Sequence, residues 1–509
     1  MAVRKHVGWA LVTGAALLVT GASGLIAASL DPASGGAVTV VQAQAPAQST
    51  SAQSAAADKP DVTFTRDIAP ILQRSCQNCH RPGQVAPMSL LTYEDARPWA
   101  RSMKARTAIR DKAGAMPPWY IEKNIGIQHY KNDPSLSDEE VAKIAKWADS
   151  GAPRGNPADM PPPRTWPDGA SWHAGEPDLI VESPEILVKA NTPDWWGEFP
   201  PTKLPITEDR YVKSVEIREV NNFSNESGRQ TVGQRYVWHH LIWATAPVDE
   251  GGDPLDASVT DGAVGWPVHE VGRNADIFDD NAGRLLKAGS SIIYQSAHLH
   301  AGGNDVKSKL LFGFRFHPPG YKPARRTSLH NLANALDIDI KPMEANQQLH
   351  AYEVLSQPAK VVTFEPHLHA PGQRMCLEAI WGFNIQTLTC AGYDHNWVRQ
   401  YEYEDDYAPI LPRGTILHII GYMDNTPNNK NIPEPRNWQG SGNRSIANMF
   451  IDLGQIMPLT DEEFQQEMAK RREKLGPNRP DVIIGCPLCN VIPPPAKPTT
   501  STAKPAGQQ

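Results

Sequence analysis

Residues 76–80 read Cys76-Gln-Asn-Cys79-His80, and this run constrains the chain more than any other. Two cysteines spaced C-x-x-C, with a histidine directly after the second, form thioether bonds to a c-type heme and supply its proximal iron ligand. A redox dithiol or half of a zinc site shares the C-x-x-C spacing, but neither needs the adjoining histidine. One covalent heme therefore fixes what the surroundings of residue 76 have to be, namely helices packed beside a flat cofactor.

The N-terminus agrees with that chemistry, because heme is attached to C-x-x-C-H outside the cytoplasm. Arg4 and Lys5 precede Val7–Leu30, which holds no charged residue. This is the positive n-region and apolar h-region of an export signal. A small-residue cleavage site stands at Val41-Gln42-Ala43, and the apolar run at 7–30 is also long enough to remain as an inner-membrane anchor. Either outcome makes the body of the protein periplasmic or exported. Beyond the Ala/Gln/Ser-rich stretch that ends near Lys59, about 450 residues remain, enough for two or three domains. A net charge of −7 gives no basic footprint, so nucleic acid is not an expected partner. Forty-six prolines and fourteen tryptophans suit a loop-rich β protein better than a helical bundle. Six cysteines in an exported chain belong in disulfides or on cofactors.

The expected order is a signal or anchor over 1–43, a low-complexity linker over 44–60, and a small all-α heme domain over 61–157. Two all-β sandwich domains follow over 176–335 and 336–459, then a helix and Pro-rich tail over 460–509. In the heme domain, Asp67–Cys76 reads as an amphipathic helix leading into the motif. Ser137-Asp138-Glu139-Glu140 starts a second helix, with acidic residues in its first turn. Val141, Ile144, Ala145 and Trp147 then form an apolar stripe that ends at Gly151-Ala-Pro153. Three methionines compete for the distal side of the iron: Met88, Met103 and Met116. Met103 has the spacing of a helical core residue, whereas Met116 lies in Gly114-Ala-Met-Pro-Pro-Trp119, where two prolines stiffen the backbone. Met116 is the favoured ligand, and methionine ligation marks an electron carrier.

From Glu176 the pattern changes to short alternating runs between Gly/Pro/Asn/Asp loops, the mark of β-sandwiches. Histidines cluster on these runs. His239-His240 are adjacent, His298 and His300 alternate, and His367 and His369 alternate. Residues i and i+2 of a strand share a face, so each H-x-H can present two imidazoles to one metal. Adjacent histidines face opposite ways on a regular strand and share a metal only at a bulge or strand end. Imidazole alone does not choose between copper, zinc, iron and nickel. Isolated histidines such as His269, His317, His330 and His350 read as ordinary hydrogen-bonded or surface residues.

The order His239-His240, His298, His367-x-His369, Met449 resembles the copper type II ascorbate-dependent monooxygenases, the family of the peptidylglycine hydroxylating and dopamine β-monooxygenases. It also resembles bacterial proteins that fuse such a module to an N-terminal cytochrome c domain. The resemblance spans about Asp61 to Leu459. It implies two facing β-sandwich domains with one copper each: His239, His240 and His298 on an electron-transferring copper, and His367, His369 and Met449 on the catalytic copper that meets O2 and substrate. This sequence departs from the family in three places. Both His298 and His300 qualify as the third ligand of the first copper, with His298 preferred for its spacing to Gly303. Glu365 stands where the peptide-amidating members carry a carboxylate-binding arginine, so a glycine-extended peptide is not the expected substrate. Asn448 precedes the methionine where an acidic residue is common.

Cys376 and Cys390 are equidistant from Phe383, so a hairpin turning near Gly382–Asn384 sets them opposite each other within disulfide reach. Cys486-Pro-Leu-Cys489 lacks a following histidine and reads as a local disulfide. The expected function is an O2-dependent copper monooxygenase that hydroxylates a small organic substrate. A periplasmic donor supplies its electrons through one covalent heme to two coppers. The alternative is a heme- and copper-containing relay or metal-handling protein without catalysis. A zinc or iron hydrolase fits poorly, since no Glu or Asp stands at zincin spacing to the H-x-H pairs. Trp195-Trp196 and Phe199, between Pro193 and Pro205, read as packing residues of an aromatic loop.

Overall fold

Along the strand Val306–Phe316, Val306, Leu310, Phe312 and Phe314 are buried, while Lys307 is exposed and Lys309 half-buried. Such a period of two places one face of a sheet on a core. The computed structural model describes residues 61–475, apart from 83, 85, 166–171, 223–235, 249–263, 272–274, 280, 326, 331, 335–336 and 443–446. The segments read as an export signal or anchor and a linker, the Pro-rich tail and the Cys486/Cys489 pair lie outside the described residues. Among the described residues, no helix is long and apolar enough to cross a membrane.

The chain is mostly antiparallel β-sheet. A six-stranded and a five-stranded sheet close over one core, with Val215, Ile217, Phe312 and Phe314 from the first and Trp238, Trp243, Ile292 and Tyr294 from the second. Trp243 stacks on Trp266 at 5.3 Å between ring centroids and meets Phe312 and Phe314 edge-on. A four-stranded sheet then packs on a five-stranded and a three-stranded sheet over a second core, which includes Leu377, Leu388, Leu417, Ile419, Phe364, Leu368 and Phe450. The short strands Ser328–Leu329 and Leu332–Ala333 pair with Gln455–Pro458 and Phe450–Asp452, so both belong to this second sandwich. The hairpin of Gly372–Trp381 and Asn384–Gly392 turns through Gly382 and Phe383, with Gly382 at φ +54. Its register sets Cys376 opposite Cys390, and the two are disulfide-bonded.

Residues 61–160 carry the helical elements Ala69–Ser75, Tyr93–Ala96, Ala100–Thr107 and Asp138–Asp149. Ser137 caps the last of these through a capping box with Glu140, as the sequence suggests. Phe64, Ile68, Leu72, Met103, Val141, Ile144 and Trp147 form their core. The stretch between the helices does not stay with them: Trp119, Ile121, Ile127 and Tyr130 are part of the second sandwich's core. Ile121 bridges to Ala391 and Tyr130 to Tyr403. Gly392 permits this approach, since a Cβ there would collide with the Asp111 carbonyl oxygen. The C-terminal helix Asp461–Leu475, capped by Thr460 and Glu463, buries Phe464 and Met468 against Ala282, Ile410 and Met457.

Candidate functional site

His239 and His240 lie at the start of the strand Trp238–Pro247, both buried, with their Nδ1 atoms 3.4 Å apart. Neighbours on a regular strand cannot approach this way. The register explains it: Leu299 pairs with Trp238 and His298 with His240, leaving His239 as the extra residue of a bulge. His298 is the last residue but one of the facing strand Ser290–Leu299 and His300 follows that strand, with ring centroids 4.4 Å apart. One donor atom from each of His239, His298 and His300 falls within a 4.8 Å group, which makes these three a candidate metal site. The ring of His240 lies 4.9 Å from His298 and 6.3 Å from His367 of the second sandwich.

His367 and His369 bracket the end of the strand Pro366–Leu368, and their ring centroids are 5.5 Å apart. This strand pairs with Phe450–Asp452, with Leu368 opposite Phe450. The next step of that register sets His369 opposite Met449, which is half-buried. The two histidine sets, from different sandwiches, thus face one another.

Hydrogen bonds to the non-facing ring nitrogens decide which nitrogen each histidine offers. His367 Nδ1 donates to Glu270 Oε1 at 2.7 Å, and His369 Nδ1 donates to the Ala447 carbonyl at 3.1 Å, so both present Nε2. His298 Nε2 donates to Asp194 Oδ2 at 3.3 Å, and His239 Nε2 to the His395 carbonyl at 3.3 Å, so these present Nδ1. Trp196 stacks on His298 at 3.9 Å. Trp195, Trp196 and Phe199 belong to the edge strand Trp195–Lys203, where Phe199 packs on Trp238. The aromatic run therefore supports the histidines.

Burial pushes His239 and His240 well below the usual histidine value, and the neighbouring imidazoles add to the effect. Burial likewise takes His300 down to about 4, helped by His298 and opposed by Asp194. Neutral imidazoles are the form that binds metal. Glu270 and Asp194, the carboxylates that orient His367 and His298, were not legible in the sequence, nor was His395. His395 is buried on the loop after the strand Asn384–Gly392, 5.3 Å from His239 and 6.1 Å from His369 between ring centroids. It has no H-x-H partner to draw attention to it. Among the isolated histidines, His317 stacks on Tyr321, and His350 bonds to His418, which bonds in turn to Glu378.

Cys76 caps the helix Ala69–Ser75, and the amides of Cys79 and His80 both donate to its carbonyl, which closes the C-x-x-C-H turn. His80 Nδ1 donates to the Met88 carbonyl at 3.2 Å, which leaves Nε2 for an iron. Burial pushes the Cys76 thiol up to about 12, with Cys79 adding to it, the reverse of an activated redox thiol. Of the three methionines, Met103 is buried in the helical core and Met88 holds His80 through its carbonyl. Met116 is 43% exposed, at a cis Met116–Pro117 bond. Both donor sets fit the groups the sequence implies: a covalent heme at Cys76, Cys79 and His80, and imidazole-bound copper at the histidines.

No family model matches the chain, and no curated protein matches it. Among solved structures it is similar to cowpea mosaic virus top component, a naturally occurring empty particle, at 11% identity and a TM-score of 0.22, covering 52% of this chain and 90% of that one. It is also similar to the PBSX exported protein XepA at 10% identity and a TM-score of 0.14, covering 48% and 87%. At these scores neither likeness bears on fold or function.

Proposed function

We propose that the chain is an exported oxidoreductase, an O2-dependent copper monooxygenase whose electrons arrive through its own c-type heme. The observation that carries this reading is the meeting of His239, His240, His298 and His300 from one sandwich with His367 and His369 from the other, on buried rings that hydrogen bonds orient. Cys76, Cys79 and His80 would hold the heme, with Met116 as the distal ligand. His239, His298 and His300, whose donor atoms converge, would hold one copper with His240 beside them, and His367, His369 and Met449 the other. Copper on imidazole and thioether ligands supplies one-electron chemistry and O2 activation, and a His/Met heme carries single electrons. Hydroxylation of a C–H bond consumes O2, two electrons and two protons and yields the alcohol and water. Met88 fixes the His80 ring, Glu270 and Ala447 fix His367 and His369, and Asp194 and Trp196 fix His298.

A second reading is favoured by the burial of His240, His298, His367 and His369: a closed heme–copper relay that needs no access for an organic substrate. Metal analysis, EPR and a pyridine hemochrome spectrum on protein exported from a cytochrome c-maturing host test the cofactor set. One heme and two coppers per chain, with copper lost in His239→Ala and His367→Ala, are expected; heme without stoichiometric copper overturns both readings. Reductant-dependent O2 uptake that responds to a substrate panel separates the enzyme from the relay.

A further inference from the structure

We propose that His395 is a metal ligand of this cluster, a role that rests on the copper-binding reading above, and that it joins the His239/His298/His300 set to the His367/His369 set. Its ring stands between them, 5.3 Å from His239 and 6.1 Å from His369. It is 8% exposed, and its Nδ1 has no hydrogen-bond partner. His418, by contrast, has both ring nitrogens paired, with Glu378 and His350. His395 instead leaves a buried nitrogen among imidazoles that themselves offer lone pairs. A neutral imidazole supplies one lone pair, and a d-block cation accepts several at once.

The main chain supports the same role. The His395 carbonyl accepts from His239 Nε2 at 3.3 Å, so one residue orients a ligand of the first set while its own ring stands between the two sets. Asp394 holds this loop in place: its Oδ1 accepts from the Asn396 amide at 2.9 Å and its Oδ2 from the Gly114 amide at 2.8 Å. The Tyr120 hydroxyl also donates to Asp394 Oδ2, at 3.3 Å. Gly114 and Tyr120 flank Met116. The residue before His395 is thus fastened to the segment that carries the favoured distal heme ligand, and Asp394 is a positioning residue for both ends.

The test uses full-length, heme-loaded protein, stripped of other metals and titrated with Cu(II). Wild type, His395→Ala and His395→Asn are compared by copper stoichiometry, by retention against a chelator and by the histidine nitrogens counted in pulsed EPR. Both variants are expected to lose one histidine nitrogen from the Cu(II) signature and to retain copper at least about tenfold less well, with an unchanged heme spectrum. His395→Asn keeps a polar side chain and serves if the alanine variant does not fold. Wild-type stoichiometry, retention and EPR in a folded variant overturn the proposal alone. So does a wild-type spectrum fully accounted for by the two predicted sets. Wild-type protein that takes up no copper overturns the copper reading and this proposal with it.

Discussion

Glu270 pairs with His240 across two strands of the first sandwich, yet its Oε1 accepts from His367 of the second. Both side chains are buried, so the carboxylate fixes the His367 ring with little competition from water. Glu270→Ala is expected to weaken copper retention about 10–100-fold and to lower stability by about 1–3 kcal/mol. Chelator competition and urea unfolding read the two effects, and unchanged retention would show that His367 needs no such support. Asp452 shows the opposite effect of burial. Its carboxyl is pushed up to about 6 by desolvation, against His330 and two backbone amides that favour the charged form. Folded protein therefore binds this proton more tightly than unfolded chain does, and stability falls as pH rises from about 4 to about 6, by on the order of 3 kcal/mol. Asp452→Asn keeps an acceptor for the Glu365 and Gly454 amides, so its melting temperature should rise relative to wild type across that window and hold the gain above it. A difference that stays flat with pH would remove the assignment. Residues with a spacing signature, such as the C-x-x-C-H run and the H-x-H pairs, were legible in the sequence. Glu270, Asp194 and His395 were not, because their roles arise only where separate strands and loops converge.

The hairpin of Gly372–Trp381 and Asn384–Gly392 shows how far an element can be read from its sequence. Cysteines equidistant from a turn implied cross-strand pairing, and the structure places Cys376 opposite Cys390 across a two-residue turn. What the spacing could not show is the register shift between Leu377 and Glu378, which lets a turn centred between Gly382 and Phe383 still bring the two cysteines level. Closing a loop of 14 residues' separation restricts the unfolded chain, so the Cys376→Ser/Cys390→Ser protein should be less stable by about 3 kcal/mol. A urea midpoint equal to wild type would mean that the sheet alone fixes this register. The His239 strand taught the converse lesson. Its sequence showed that two adjacent histidines need a bulge or a strand end to converge. Only the pairing with Ser290–Leu299 revealed that both are present. Trp195, Trp196 and Phe199, read as loop, proved to be an edge strand, because pairing with Ser290–Leu299 outweighed the turn preferences of the surrounding prolines.

At the scale of the molecule, the sequence suggested separable modules, and the described chain does run from short helices over 61–160 into antiparallel sheets. The cores do not separate so cleanly. Trp119, Ile121, Ile127 and Tyr130 leave the helical region and complete the second sandwich, and Lys131 and Glu122 form ion pairs with Glu402 and Arg374 of that sandwich. Alternation and helical periodicity report which face of an element is buried, but not which neighbour buries it, so this exchange left no trace in the sequence pattern. Its energetic weight is large. Each of the four side chains is worth about 1.5–3 kcal/mol when buried, and together they rival the 5–15 kcal/mol of a whole domain. Residues 172–475 expressed alone should therefore fail to form a stable second sandwich, with broadened melting, weakened near-UV circular dichroism and strong binding of a hydrophobic dye. Full-length protein nicked by protease between 160 and 172 should instead stay together on size exclusion, since the inserted segment remains in place. A cooperative melt from the 172–475 fragment at the full-length temperature would mean that the sandwich closes without its guest residues. Failure of the fragment, with survival of the nicked protein, ties the position of the segment that holds Cys76, Cys79 and His80 to the folding of the histidine-bearing sandwich.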